Sequence, residues 1–464
     1  MVLPVRNVRL VAFHFPKGLP GVFFIYHLVF EKMERLREKA AGIDIGSRKV
    51  FVSIDGDEVR SFFTFTQDFE NLREYLAEKA IETVAMEATG VYWGILYEML
   101  EEAGIDVWLV DGAQTKQVPG RKTDVKDCQW IQQLHSYGLL NRCFVAESDI
   151  KELRIYQRLR EDHIRSSSMH INHMQKALIE MNIRLPEVLD QIHGVSGLAI
   201  IQAILDGERD KEKLLRLCDK RIIKNKREDV LKSLNGRYTK SGLFSLRQAF
   251  DSYQFYQNQI MQCDTMLQEV IKRISKGKPD QTSNAPRKPI RHNKPRIDDL
   301  GADMLKIFDG RDATSLSGIT DYTWMQLLAE TGTDLSRWET EKHFTSWLGL
   351  APGQHTSGKM KRTKRKKGKP KAGQIFRTIA QSLITSKRIA LGAFGRRIRA
   401  RKGSAIAIKA VARKLAILYW RIMVKGTLFV EKGIQKYEEQ LIAQKQRSFI
   451  RLAKELKIQV AVPM

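Results

Sequence analysis

Asp124 and Asp127 stand three residues apart in the stretch GRKTDVKDCQWIQQL, residues 120–134. Thr123 before them suits a helix N-cap, and Trp130, Ile131 and Leu134 supply an apolar stripe. Positions i and i+3 share one helix face, so both carboxylates can point at one spot. The helix N-terminus favours their ionised form. Two ionised carboxylates repel each other unless a cation sits between them, which makes the pair half of a divalent-metal site with hard oxygen ligands suited to magnesium. Taken alone, the pair is equally an ordinary acidic first turn. Two further acids decide between these readings.

The elements before this helix would position those acids. AGIDIGS, KVFVSIDGDEV and RSFFTFT alternate as three strands, with a tight Asp-Gly turn at Asp55 and Gly56. DFENLREYLAEKA then has helical spacing, TVAMEA reads as a short buried strand, VYWGILYEMLEEAG as a helix closed by Gly104, and IDVWLVD as another strand. Three strands, then helix, strand, helix, strand, helix is the order of an RNase H-like domain, whereas ordinary doubly wound folds do not open on a three-strand meander. Asp44 falls inside the first strand between Ile43 and Ile45, and Glu87 ends the fourth. Charged residues in buried strands are rare unless paired or metal-bound. In this fold the first and fourth strands are neighbours, so Asp44, Glu87, Asp124 and Asp127 converge. Two magnesium ions held ~4 Å apart by such a set would activate an attacking oxygen and stabilise a leaving one in phosphoryl transfer.

The chain has 464 residues and a net charge of +26, an excess that calls for a polyanionic partner. Nucleic acid is the simplest candidate and an anionic membrane surface the alternative. Its four cysteines, Cys128, Cys143, Cys218 and Cys263, form neither a zinc pattern nor a disulfide framework, which reads as a reducing cytosol and a cytoplasmic protein. The apolar stretch from Val8 to Phe30 is broken by Pro16, Lys17 and Pro20, too interrupted to span a membrane. Residues 1–40 read as a weakly ordered extension that includes a helix-like segment from Glu31 to Ala41.

A first, catalytic domain is expected over 41–147 and a helical, coiled-coil region over 148–276. In the latter Tyr253, Tyr256, Ile260, Cys263, Leu267, Val270 and Ile274 follow 3-4 spacing, as do Ile171, Met174, Leu178 and Met181. HGVSGLAIIQAIL from His193 resembles SGITDYTWMQLLA from Ser317, each a glycine turn opening a helix, suited either to holding a DNA phosphate on backbone amides or to a plain helical corner. Residues 277–299 read as a mobile basic linker, 300–430 as a mainly helical domain and 431–464 as a basic helical tail. WLGLAPGQHTSGK ends on Ser357 in a Ser-Gly turn, followed at once by a run of cations. That serine is either a turn residue or a phosphate-facing nucleophile. Candidate nucleic-acid contacts are Arg121, Lys122 and Lys126 beside the acidic pair, and Lys359, Lys361, Arg362, Lys364, Arg365, Lys366 and Lys367 in the run.

GIDIGS, MEATGVYW, PGRKTDVKDCQWIQQLHSYGLL and, far downstream, FTSWLGLAPGQHTSGK together resemble the IS-one-ten insertion-sequence transposases, closest to their eleven-eleven subgroup. The resemblance runs from about Gly42 to about Thr427. It implies a RuvC-like domain whose Asp-Glu-Asp-Asp metal tetrad is Asp44, Glu87, Asp124 and Asp127. It also implies a C-terminal transposase domain in which Ser357 attacks DNA and forms a covalent phosphoserine link. An active site composed from different protomers of a dimer or tetramer, magnesium, element-end and target DNA, and an element-encoded guide RNA are implied with it. Residues 1–41 have no counterpart, and the loop after Ser357 is more basic than the family's. The expected function is therefore a recombinase that excises and inserts its own mobile element. A RuvC-type junction-resolving nuclease, needing the tetrad but no serine, and a non-catalytic nucleic-acid-binding protein are the other readings.

Overall fold

The computed structural model describes residues 34–456 apart from 56–57, 116–123, 353–354, 358–359, 363–369, 387–388, 427–441, 444–445 and 454. The chain divides into two compact units that meet between Val145 and Ala146.

The first unit holds strands β1 (Ala40–Ile45), β2 (Lys49–Ile54) and β3 (Glu58–Phe63), helix α1 (Thr66–Glu78), β4 (Thr83–Glu87), α2 (Trp93–Glu102), β5 (Asp106–Val110), the short α3 (Gly112–Thr115) and α4 (Asp124–Ser136). Its five-stranded sheet has the order β3-β2-β1-β4-β5. β2 runs antiparallel to β1 and β3, while β1, β4 and β5 are parallel. The first three strands therefore form the expected meander and β4 joins at β1, as the neighbour relation requires.

Side-chain alternation along the strands divides two layers. Ile43, Ile45, Val84, Met86, Val107 and Leu109 pack on one face with Leu72, Leu76 and Leu96 of α1 and α2. Ala85 and Val110 pack on the other with Trp130, Ile131 and Leu134 of α4. Gly42 and Asp44 share a parity, as do Ala85 and Glu87, so both acids belong to the face that α4 covers.

The helix expected over Glu31 to Ala41 is not what forms among the described residues. Ala40 already opens β1, and residues 34–39 are irregular. Leu36 and Arg37 donate their backbone N–H groups to Ser136 O at 2.9 and 3.0 Å, and the Arg37 guanidinium lies 4.3 Å over the Trp108 ring. These tertiary bonds at the end of α4 outweigh local helix preference.

The second unit is largely helical. Helices α5 (Ser148–Glu180), α6 (Leu185–Val188), α7 (Val195–Leu205), α8 (Lys211–Arg216), α9 (Lys220–Ser233) and α10 (Lys240–Ser275) come first. α5 and α10 pair antiparallel, since Arg273 reaches Asp149 while Gln257 bonds Ser167. The 3-4 seam is the buried face, with Met174, Leu178, Tyr253, Ile260, Cys263, Leu267 and Val270 all inside. Within it Arg160 and Asp264 form a buried ion pair at 2.5 Å, and Arg160 also donates to Tyr322 Oη and Asn293 O.

Residues 277–299 carry no helix or strand, yet several of their cations have internal partners. Arg287 bonds Asp321 at 2.7 Å. Lys288 donates to the carbonyls of Thr314, Leu316 (2.5 Å) and Ile319 (3.3 Å), and burial pushes its ammonium below the usual lysine range. Those carbonyls belong to the turn before α12, so this cation faces inward and not toward a phosphate.

The remainder comprises α11 (Leu300–Ile307), α12 (Asp321–Thr331), α13 (Glu341–Trp347), a hairpin of β6 (His355–Ser357) and β7 (Met360–Arg362), α14 (Lys371–Thr385), α15 (Ala390–Lys402) and α16 (Ser404–Lys425). Phe344, Phe376 and Tyr419 cluster at its core. The two glycine turns resembling each other are built differently: Gly194 is the extended N-cap of α7, whereas Gly318 precedes the cap Thr320 of α12 at φ +85°. Among the described residues no helix is long and apolar enough to cross a membrane.

Candidate active site

The parallel strands β1, β4 and β5 all end at one edge of the sheet, and the acids gather there. Asp44 is the penultimate residue of β1, Glu87 the last of β4, and Asp124 and Asp127 occupy the first turn of α4. The Asp44 carboxyl is pushed up to about 6, first by burial and then by the charges of Asp124, Asp127 and Glu87. These charges act on Asp44 from residues up to 83 positions away in the chain. The backbone N–H of Ile45 pulls the other way.

α4 reaches Asp44 because β1 carries glycine two residues earlier. A Cβ on Gly42 would stand 2.2 Å from Gln132 N and 2.4 Å from Cys128 O, inside the helix backbone itself. Only a bare Cα lets α4 lie so close to the strand. Cys128, wedged at this contact, is buried and its thiol pushed up to about 12 by burial and then by Asp44. It is a packing residue here, not a thiolate.

Glu87 is oriented from the next connection. Asp111 caps the start of α3 by accepting from Ala113 N at 3.0 Å, and α3 presents the buried Thr115, whose hydroxyl donates to Glu87 Oε2 at 2.8 Å. A Cβ on Gly112 would meet Glu87 Oε1 at 2.4 Å, so this glycine leaves room for the carboxylate. Sequence reasoning passed over Gly42, Gly112 and Thr115. Gly42 alone carried a signal there, as the small residue two places before an in-strand acid.

The far end of α4 is anchored by His135. Thr83 donates its hydroxyl to Asp106 O at 2.8 Å and therefore accepts from His135 Nε2, also at 2.8 Å. Burial, then the Arg37 charge, pushes the imidazole down to about 4 and keeps it neutral.

Donor chemistry at the sheet edge fits a divalent cation: four hard carboxylates whose repulsion a doubly positive ion relieves. Among the described residues no three His, Cys, Asp or Glu side chains stand close enough to enclose one ion. The carboxylates share a field without forming a coordination shell.

The other candidate residues fall elsewhere. Lys126 is exposed in the first turn of α4, between the two aspartates. Ser357 closes β6 in the second unit, paired in register with Met360 of β7, while Lys361 and Arg362 pair with Thr356 and His355. Thr123, Arg121, Lys122, Lys359, Lys364, Arg365, Lys366 and Lys367 lie outside the described residues.

Residues 41–183 match a family model of the DEDD type described as a transposase. Residues 311–394 match one described as the transposase IS116/IS110/IS902 family. Comparison with curated proteins gives no match. The first model spans all four carboxylates and the second spans Ser357, in the order the sequence motifs have. The chain belongs to the IS110 family of transposases.

Proposed function

We propose that this chain is the recombinase of an insertion sequence, cutting and rejoining DNA by phosphoryl transfer at an RNase H-like, RuvC-like carboxylate site with Ser357 as nucleophile. One observation carries the reading: the Asp44 carboxyl lies in the field of Glu87, Asp124 and Asp127 at the edge where the parallel strands end. The sheet order β3-β2-β1-β4-β5, with a three-strand antiparallel meander joined through β1 to the parallel strands β4 and β5, supports the RNase H-like assignment.

Transposase membership implies dependence on a divalent metal in general, and magnesium is the ion proposed. When bound, it supplies positive charge against the phosphate and the departing oxygen. The chain's own residues do the rest. Asp44, Glu87, Asp124 and Asp127 would hold the ion once drawn together around it, and the Thr115 hydroxyl orients Glu87 by donating to its Oε2. The Ser357 oxygen forms a bond to phosphorus while a bridging ester oxygen leaves with its strand. The proton lost by serine balances the one that oxygen gains. A strand hydroxyl then attacks the phosphoserine, which rejoins DNA and returns the serine. DNA ends, target DNA and an element-encoded guide RNA are the proposed partners of a homo-oligomer, dimer or tetramer, working in the cytoplasm.

The test is circle-junction formation in cells, with the gene expressed within its natural flanks. Wild type should form junctions, and Ser357→Ala and Asp44→Asn should not. Junctions from Ser357→Ala would remove the serine mechanism and favour a carboxylate nuclease. Junctions from Asp44→Asn would remove the proposed site.

A further inference from the structure

The carboxylate edge is bordered by bare apolar side chains. β3 runs in the same direction as β1, since both are antiparallel to β2, so Phe63 ends its strand at the edge where Asp44 and Glu87 lie. Phe65, the N-cap of α1, follows it and is 71% exposed. After Glu87 come Val91 (85% exposed), Tyr92 (47%) and, in the first turn of α2, Ile95 (59%). Val125 between the two aspartates is exposed as well. Among the described residues of the first unit, Leu36 is the large exposed apolar side chain that stands at the opposite end. Cations interleave with this rim: Arg48 in the β1–β2 turn, Lys49 opening β2 and Lys126 on α4 are exposed, and the Lys49 ammonium lies 4.8 Å over the Phe63 ring.

We infer that this rim is a stacking platform for unpaired nucleobases, which holds the DNA strand single-stranded on either side of the phosphate at the carboxylates. The inference rests on the proposed function and goes further by stating the form of the substrate. Aromatic faces set among cations are the chemistry of single-strand binding, where the cations track the backbone and each base stacks on a ring. A duplex keeps its base faces stacked internally and offers these rings nothing. An opened strand exposes the uncharged faces of its bases, which the carboxylates do not repel, while its phosphates meet the cations. Phe65 lies on the β3 side of the acids and Tyr92 on the β4 side, so the geometry points to one base stacked on each.

The experiment uses the full chain and a ten-residue oligothymidylate carrying one 2-aminopurine, in EDTA so that no cleavage occurs. Wild type should bind and quench the 2-aminopurine. Phe65→Ala and Tyr92→Ala should each weaken binding about 5- to 100-fold. Tyr92→Phe should bind as wild type, and the salt dependence of the alanine variants should be unchanged, because no phosphate contact is lost. Both sites are exposed, so circular dichroism should match wild type. Unchanged affinity in the Phe65→Ala, Tyr92→Ala double variant overturns the inference. So does a changed oligomeric state in sedimentation with binding intact, which would mark the rim as a protein contact. Failure of wild type to bind the oligomer overturns it together with the nucleic-acid reading. Binding lost in the double variant while Asp44→Asn still forms junctions overturns the recombinase mechanism and leaves the platform standing.

Discussion

Thr115 donates its hydroxyl hydrogen to Glu87 Oε2 at 2.8 Å from a position buried beside Gly112. The bond ties a four-residue helix with no evident role of its own to a carboxylate 28 positions earlier. For Glu87 in its proposed role as a metal ligand, freedom to rotate would weaken binding, and outer partners of this kind are worth about 10- to 100-fold in metal affinity or activity. Thr115→Val keeps the shape and removes the hydrogen. Junction formation should drop by that factor, with a raised metal requirement, and Thr115→Ser should restore most of it. Equal activity in all three proteins would make the bond incidental.

Gly42→Ala tests how α4 is held. The added methyl would meet backbone atoms of Gln132 and Cys128, which cannot turn aside as a side chain can. The helix must lift, at a cost of about 1–3 kcal/mol or more. Lowered urea stability together with lost recombination is expected. Loss of stability alone would mean that the aspartates do not depend on this contact.

Asp264→Ala leaves the Arg160 guanidinium buried beside Tyr322 and Asn293 without its counter-charge. Removing one partner of such a pair costs about 3–5 kcal/mol. Thermal melting should fall steeply for Asp264→Ala and less for Asp264→Asn, which still accepts a hydrogen bond. A drop no larger than that of an exposed pair such as Arg184–Glu187 would contradict the burial argument.

His135 makes the first unit acid-sensitive. Its folded value of about 4 lies below the ordinary 6.5, so the unfolded chain binds the extra proton between those values. The contribution is complete above pH 6.5 and declines as pH falls toward 4, by about 1.4 kcal/mol per pH unit and about 3 kcal/mol in all. Urea midpoints measured at pH 7.5 and pH 5 should differ more for wild type than for His135→Gln. Parallel pH dependence in the two proteins would assign the effect to other groups.

Strand alternation made the acids legible. Asp44 stands between two isoleucines and Glu87 closes TVAME, so alternation placed both at the ends of buried strands, and Asp124 and Asp127 follow at helical spacing. The 3-4 seams of α5 and α10 were legible for the same reason, because burial of a helix face leaves a period in the residues. Gly112 and Thr115 were not, since a single close approach or one hydroxyl bond leaves no period. The short segment before β1 read as helix from its composition, while its bonds to Ser136, 100 positions away, decide its form. Residues 277–299 looked like solvent-facing cations because a count of charges cannot tell an ammonium facing water from one facing carbonyls.

That last distinction bears on how the molecule can be divided. Lys288 fills the carbonyl turn of Thr314, Leu316 and Ile319, so the irregular segment is a folding partner of the helices that follow it. A two-piece version of the protein broken just after Ser275 keeps that lysine with its turn. One broken just before Leu300 hands the lysine to the wrong fragment and leaves three carbonyls to find water. The first pair of fragments should reassemble far better than the second, although the two cuts border the same stretch of chain.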